Sequence, residues 1–331
     1  MNEVNIYTEK EFLSNVSYDL MHEWEYDFAK YINVDLVSIY RGRIGRIKRN
    51  AFIFFNKIRR VIKVDNASFK TNNSRNWHII FIPNALVYLN YTHLINLIPI
   101  FVDFPESMVV KIASATEKLP IYFVTAYDIY EKLKKCGSKN VEYIPMGISD
   151  YYVRSQAPRK TIDVVQFGRR NEKLHKWMLN YCERNPKVEY VFVKNANFEY
   201  YSTTRGDIGR YETRTDFCDL IDKTKIALVS SPGAEKESRF GNIDFITPRF
   251  YECAAHYCFM IGRYTVNMET EIIGLDEVCP SVDTQTDFEC YLDNYIKGDV
   301  NDNINRYRFF LDNNVISKRA ERVKTIIDRY I

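Results

Sequence analysis

Short apolar runs alternate with longer stretches of helical periodicity along most of this chain. The alternation stops once, at 151–161, and then starts again. Strands that alternate with helices make parallel βαβ units, so this pattern restricts the fold more than any single motif does. Before the break, strands are expected at 4–7, 34–40, 78–83, 99–104, 120–125 and 141–145. Helices are expected over 18–32, 47–63, 85–97, 105–117 and 126–135, and 65–76 reads as polar loop. After the break, strands fit 162–167, 188–193, 226–230 and 258–262, and helices fit 172–184 and 214–223. The expected fold class is α/β, with two Rossmann-like doubly wound domains facing a cleft. Their expected bounds are 1–152 and 160–300, followed by a helical tail at 301–331 that packs back on the first domain. A length of 331 residues suits two such domains, each with a real core.

Composition removes several classes of partner. The chain is 46% hydrophobic and 27% charged, which is globular, and its net charge of +3 gives no general preference for nucleic acid. Its 7 cysteines are scattered without a CxxC spacing, as expected of reduced, mostly buried thiols in a cytoplasmic protein. The polar, acidic start is unlike a signal peptide, and no apolar stretch reaches membrane-spanning length.

The segment 244–255 (DFITPRFYECAA) carries the clearest chemical signal. Thr247 is a good N-cap and Pro248 a natural first helical residue. Arg249 and Glu252 lie three apart and share a face. Free amides at such a helix start favour an anionic group, so a phosphate there, with Glu252 accepting from sugar hydroxyls, would make a nucleotide-sugar site. A capped surface helix with an Arg–Glu pair is the plainer alternative.

Four segments together resemble the two-Rossmann-domain (GT-B) glycosyltransferases, particularly the retaining, nucleotide-sugar-dependent family 4 class. Thr125-Ala126-Tyr127-Asp128 through Gly137, then Val141 through Pro145-Met146-Gly147-Ile148, resemble the end of that family's N-domain. Val165-Gln166-Phe167-Gly168-Arg169 resembles the first strand of its C-domain, with Lys173 following as a phosphate-binding lysine. Arg249-Phe250-Tyr251-Glu252-Cys253-Ala254-Ala255 resembles its Arg-x-x-Glu-x-x-Ala helix. The likeness covers roughly 78–264. It implies a glycosyltransferase moving a sugar from a nucleotide-diphosphate donor to a glycan or lipid-linked acceptor, in surface polysaccharide or glycolipid synthesis. It also implies retention, no metal and no cofactor beyond the donor. Gly168, Arg169, Lys173, Thr247, Arg249 and Glu252 would bind the donor, with Glu252 on the ribose. The family commonly carries two Glu separated by seven residues; here the first is Asp244, which keeps the charge and shortens the reach.

The acceptor side falls to the N-domain. Asp103 closes an expected buried strand at its carboxyl end, where it would activate or position an acceptor hydroxyl, or else cap the helix beginning at Pro105. His22 and His93 sit inside helical patterns and are assigned no chemistry. Between 41 and 63 the chain holds Arg41, Arg43, Arg46, Lys48, Arg49, Lys57, Arg59, Arg60 and Lys63, no acid, and interleaved Ile and Phe. Such a segment fits an anionic membrane surface at the inner face of the membrane, or else a buried helix with a cationic rim. Two other functions compete with the transferase: a GT-B nucleotide-sugar epimerase, and a non-catalytic protein that binds lipid or nucleic acid through 41–63.

Overall fold

A computed structural model describes residues 3–11, 13, 16–40, 42–61, 67–73, 76–195, 197–235 and 240–331. The chain divides into two compact units. The described residues through Met146, with 240–245 and Ile316–Ile331, form the first; Gly147–Glu235 and Ile246–Val315 form the second.

The first unit runs β1 (Glu3–Thr8), α1 (Val16–Ile32), β2 (Leu36–Ser38), α2 (Gly42–Val61), β3 (Asn76–Asn84), β4 (Leu97–Asp103), α3 (Val109–Ala115), β5 (Tyr122–Val124), α4 (Tyr127–Lys135) and β6 (Val141–Tyr143). Its sheet has the order β2-β1-β3-β4-β5-β6 and every pairing is parallel. Ile6 pairs with Ile79 and Ile79 with Ile98, so three fully buried side chains cross the sheet centre in register. Strands buried on both faces read as continuous apolar runs, which is why β3, β4 and β5 were legible.

In the second unit the chain forms β7 (Ile162–Gln166), α5 (Glu172–Arg184), β8 (Tyr190–Val193), β9 (Glu199–Ser202), β10 (Gly206–Arg210), α6 (Arg214–Lys223), β11 (Thr224–Ser230), α7 (Pro248–Ala255), β12 (Phe259–Arg263), α8 (Met268–Ile273), α9 (Gln285–Lys297) and α10 (Ile304–Asn314). The sheet order is β10-β9-β8-β7-β11-β12. Strands β8, β7, β11 and β12 are parallel, and β9 and β10 extend the edge antiparallel. The last helix, α11 (Ile316–Tyr330), belongs to the first unit, where it packs on α1 and Arg319 donates to the Met146 carbonyl at 3.3 Å.

Three expectations need correction. The helix expected over 85–97 is only a 3₁₀ turn at Ala85–Asn90. Asn84 accepts from the Leu86 amide, Thr92 donates to the Leu89 carbonyl, and Asn96 pairs with Asn72 and turns at φ 53. Short polar side chains here bond the backbone in place of helical hydrogen bonds. The hairpin β9–β10 was not expected. A register shift between Asp207 and Gly209, with Gly209 at φ 84, interrupts its period-2 pattern. The tail at 301–331 is two helices. Within the second unit, Tyr307 of α10 donates to the Cys258 carbonyl and Asn314 to the Ile273 carbonyl; α11 alone joins the first.

Candidate functional site

Open α/β sheets bind ligands beyond the carboxyl ends of their strands, where the strand order reverses. In the second unit that point lies between β7 and β11, because the chain steps from β7 to β8 on one side and later to β11 on the other. β7 ends in Gln166-Phe167-Gly168. Gly168 sits at φ 67, in the left-handed region that favours glycine, and a Cβ there would stand 3.5 Å from Cδ of Arg249. The obstacle to a larger residue is therefore the backbone conformation rather than space.

Arg249 crosses this reversal point. Its Nη1 donates to the carbonyls of Arg169 at 2.8 Å and Phe167 at 3.4 Å, and its Nη2 to the Ser230 carbonyl at 2.9 Å. The guanidinium thus ties the ends of β7 and β11 together. Sharing a helix face suggested Glu252 as its partner, but Glu252 is paired elsewhere. Arg214, the first residue of α6, donates through Nη1 to Oε1 of Glu252. The guanidinium of Arg214 also lies 5.4 Å from the Tyr152 ring and 5.5 Å from Phe217. A capping box, Thr213 with Asp216, starts α6 and so fixes where Arg214 emerges. That Thr-x-x-Asp signal was present in the sequence; the pairing of Arg214 with a residue 38 positions away was not.

Helix α7 starts as expected, with Thr247 in the N-cap position and Pro248 at its first turn. The capping bond differs. The Phe250 amide donates to the Thr247 main-chain carbonyl at 3.2 Å, and Thr247 Oγ1 is buried with no hydrogen-bond partner among the described residues. Phe250 through Ala255 are all buried, so Glu252 lies inside the unit. The segment leading into α7 is held by Glu269, itself wholly buried, which accepts from the Ile246 amide at 3.2 Å.

Two cations were expected beside β7. Arg169 is half-buried. Lys173 lies on the first turn of α5, donates to the Asp283 carbonyl at 3.2 Å and has its ammonium 5.1 Å from the Trp177 ring. Next to it is a cluster the sequence did not reveal. Asn171, the N-cap of α5, and Arg263, at the end of β12, both donate to Oε1 of Glu235, at 3.0 and 2.6 Å. Burial alone would raise the Glu235 carboxyl; the bonds from Asn171 and Arg263 outweigh it and hold it below its ordinary range.

Asp103 and Asp244 both belong to the first unit. Asp103 ends β4, opposite Asn84 of β3. The N-cap position of the next turn, Glu106–Met108, is held by Pro105. Asp244 is buried; its Oδ1 accepts from the Phe245 amide, and its own amide donates to Oδ2 of Asp128 at 3.1 Å. Burial raises the Asp128 carboxyl, and the charge of Asp244 adds to the rise. Asp244 and Glu252, compared above as a pair, thus fall in different units. Both histidines have structural partners. His22 bridges Glu25 and the Leu13 carbonyl, and His93 meets the Tyr40 hydroxyl and stacks on Phe52.

No protein-family model matches the chain, and no curated protein matches it in sequence. Solved structures do match its fold. A sucrose-phosphate synthase from Thermosynechococcus elongatus superposes with a TM-score of 0.59 at 8% identity, over 99% of each chain. A glycosyltransferase from Rickettsia africae ESF-5 gives 0.53 at 10% identity, over 100% of this chain and 99% of that one. A trehalose-6-phosphate synthase, studied for glycosyl transfer with retention, gives 0.52 at 10% identity, over 97% of this chain and 86% of that one. The chain has the GT-B fold, with two parallel-dominated, Rossmann-like sheets of six strands.

Proposed function

We propose that this protein is a glycosyltransferase that moves a sugar from a nucleotide-diphosphate donor to a glycan or lipid-linked acceptor, retaining the anomeric configuration without a metal. Surface polysaccharide or glycolipid assembly at the cytoplasmic face of a membrane is the setting proposed for it. The observation that carries the reading is the reversal point of the second sheet. There the Gly168 turn, the start of α7 and the buried Glu252 meet through Arg249 and Arg214. A diphosphate would take the first-turn amides of α7 and the Thr247 hydroxyl, with Arg169 and Lys173 as counter-charges. Glu252 has further lone pairs beyond the one Arg214 occupies, and these would accept from the ribose hydroxyls. Arg249 takes the role of a brace, because its donors already serve three carbonyls. Asp103 and Asp244 are kept as the candidates for the acceptor side.

A thermal-shift panel of UDP, GDP, CDP, ADP and dTDP tests this. Binding raises stability by about 2.7 kcal/mol at a hundredfold excess over Kd. One nucleotide should raise the melting temperature of the wild type. Glu252→Gln, which still accepts from Arg214, should remain folded, melt lower than the wild type, and show no rise over its own nucleotide-free melting temperature. No response to any of the five at millimolar concentration would overturn the reading.

A further inference from the structure

Helix α2 is amphipathic in the wrong sense for a helix of a globular core. The stripe that faces the first unit is centred on small and polar residues, flanked by Phe52, which stacks on His93, and by the half-buried Ile53. Gly45 packs so close to Tyr40 that a Cβ would fall 2.8 Å from a backbone carbon. Arg49 donates to Glu9, and the buried Asn56 donates to the Leu89 carbonyl and to Asn90. Five other large apolar side chains point away. Ile44 and Ile47 are 71% and 69% exposed, Phe54 and Phe55 60% and 61%, and Ile58 41%. At about 100° per residue these five fall within an arc of roughly 100° on the side opposite Gly45, Arg49 and Asn56. Arg43, Arg46 and Lys57 border that arc on one side, and Lys48 and Arg59 on the other. The helix carries no acid. Arg41 and Lys63, which flank it in sequence, lie outside the described residues.

We propose that α2 is a docking helix for an anionic lipid bilayer, with Ile44, Ile47, Phe54, Phe55 and Ile58 in the headgroup–acyl boundary and the bordering cations on lipid phosphates. An interfacial helix buries an apolar face about 5–10 Å deep while Lys and Arg stems reach back to the headgroups. Near an anionic surface each such cation adds to the attraction. Charge complementarity selects this occupant. A second copy of the same all-cationic face would set like charges against each other, and a nucleic-acid backbone would leave five large apolar side chains in water. The helix spans about 30 Å, long enough to lie along a membrane. No helix among the described residues is long and apolar enough to cross one. This inference extends the membrane setting proposed above and does not depend on the transfer reaction.

The test is co-sedimentation of the full chain with vesicles of phosphatidylcholine alone, and with about one third phosphatidylglycerol. Partition should be at least tenfold higher on the anionic vesicles and should fall several-fold when salt rises from about 0.1 to 0.5 M. Phe54→Ser with Phe55→Ser should lose most of the binding. Lys48→Glu with Lys57→Glu should abolish the preference for anionic lipid. Wild type that stays in the supernatant with both vesicles overturns the proposal whatever the variants do. So does a salt-sensitive preference for duplex DNA over vesicles, or a concentration-dependent dimer that Phe54→Ser/Phe55→Ser dissociates. The nucleotide panel reads a different unit, so either result can fail without the other.

Discussion

Helices α7 and α2 both stood out in the sequence for their charges, and they use them in opposite ways. In α7 the charges are consumed internally: Arg249 on three carbonyls, Glu252 on Arg214, with Phe250 through Ala255 buried. In α2 the centre of the inward stripe is polar and bonded, and Ile44, Ile47, Phe54, Phe55 and Ile58 face out with cations at their borders. A charged residue therefore says little about a helix until its partner is known. A buried charge must be paired, which makes α7 a fixed scaffold for a site. An apolar stripe exposed among the described residues makes α2 a surface.

If α7 is the scaffold, breaking its pair should be costly. Arg214→Ala leaves Glu252 buried without its cation and should lose about 3–5 kcal/mol in urea unfolding. A loss under 1 kcal/mol would mean that water reaches the carboxylate, and the contrast with α2 would weaken. The same internal economy extends to α5. His175 is buried against the Tyr190 hydroxyl, and burial, then the charge of Arg170, lowers its pKa to about 4. The folded form holds it neutral while the unfolded chain protonates near 6.5. Its contribution to stability is therefore present above pH 6.5 and lost as pH falls towards 4, by roughly 2–3 kcal/mol. Unfolding midpoints from pH 7 to pH 4 should fall less steeply in His175→Phe.

On α2 the inward stripe should matter more than the outward one. Gly45→Leu would drive a side chain into the Tyr40 backbone and should cost about 1–3 kcal/mol. Phe54→Ser with Phe55→Ser should change stability by less than about 0.5 kcal/mol for each residue, because both already face water. A large loss from the outward pair would show that the apolar stripe is covered within the folded chain.

What could be read from the sequence follows from how local each signal is. Helices α5 and α6 begin and end where their patterns do, because Asn171 and the Thr213–Asp216 box mark their starts within one turn. The start of α7 was likewise written in Thr247-Pro248. Partners across long loops were not. Arg214 for Glu252, Glu235 for Arg263 and Glu269 for the Ile246 amide are all set by sheet order, which no spacing along the chain encodes. The cationic character of 41–63 was plain, but which side of α2 faces out is decided by the small size of Gly45 and the hydrogen bonds of Asn56. The hairpin β9–β10 escaped because its three-residue turn, 203–205, leads into Gly206 at φ 79, with no Asn-Gly pair to announce it.

The division of the chain also bears on its synthesis. The first unit is made of three separate stretches and closes only when α11 packs on α1. A ribosome delivers α1 long before α11, and in between it must make the whole second unit. Domains that are contiguous in sequence can fold as they emerge, N-terminal first. Here the unit that begins first must finish last, with the surface of α1 that receives α11 left uncovered throughout. A nascent chain halted before residue 316 would therefore hold an incomplete N-terminal unit.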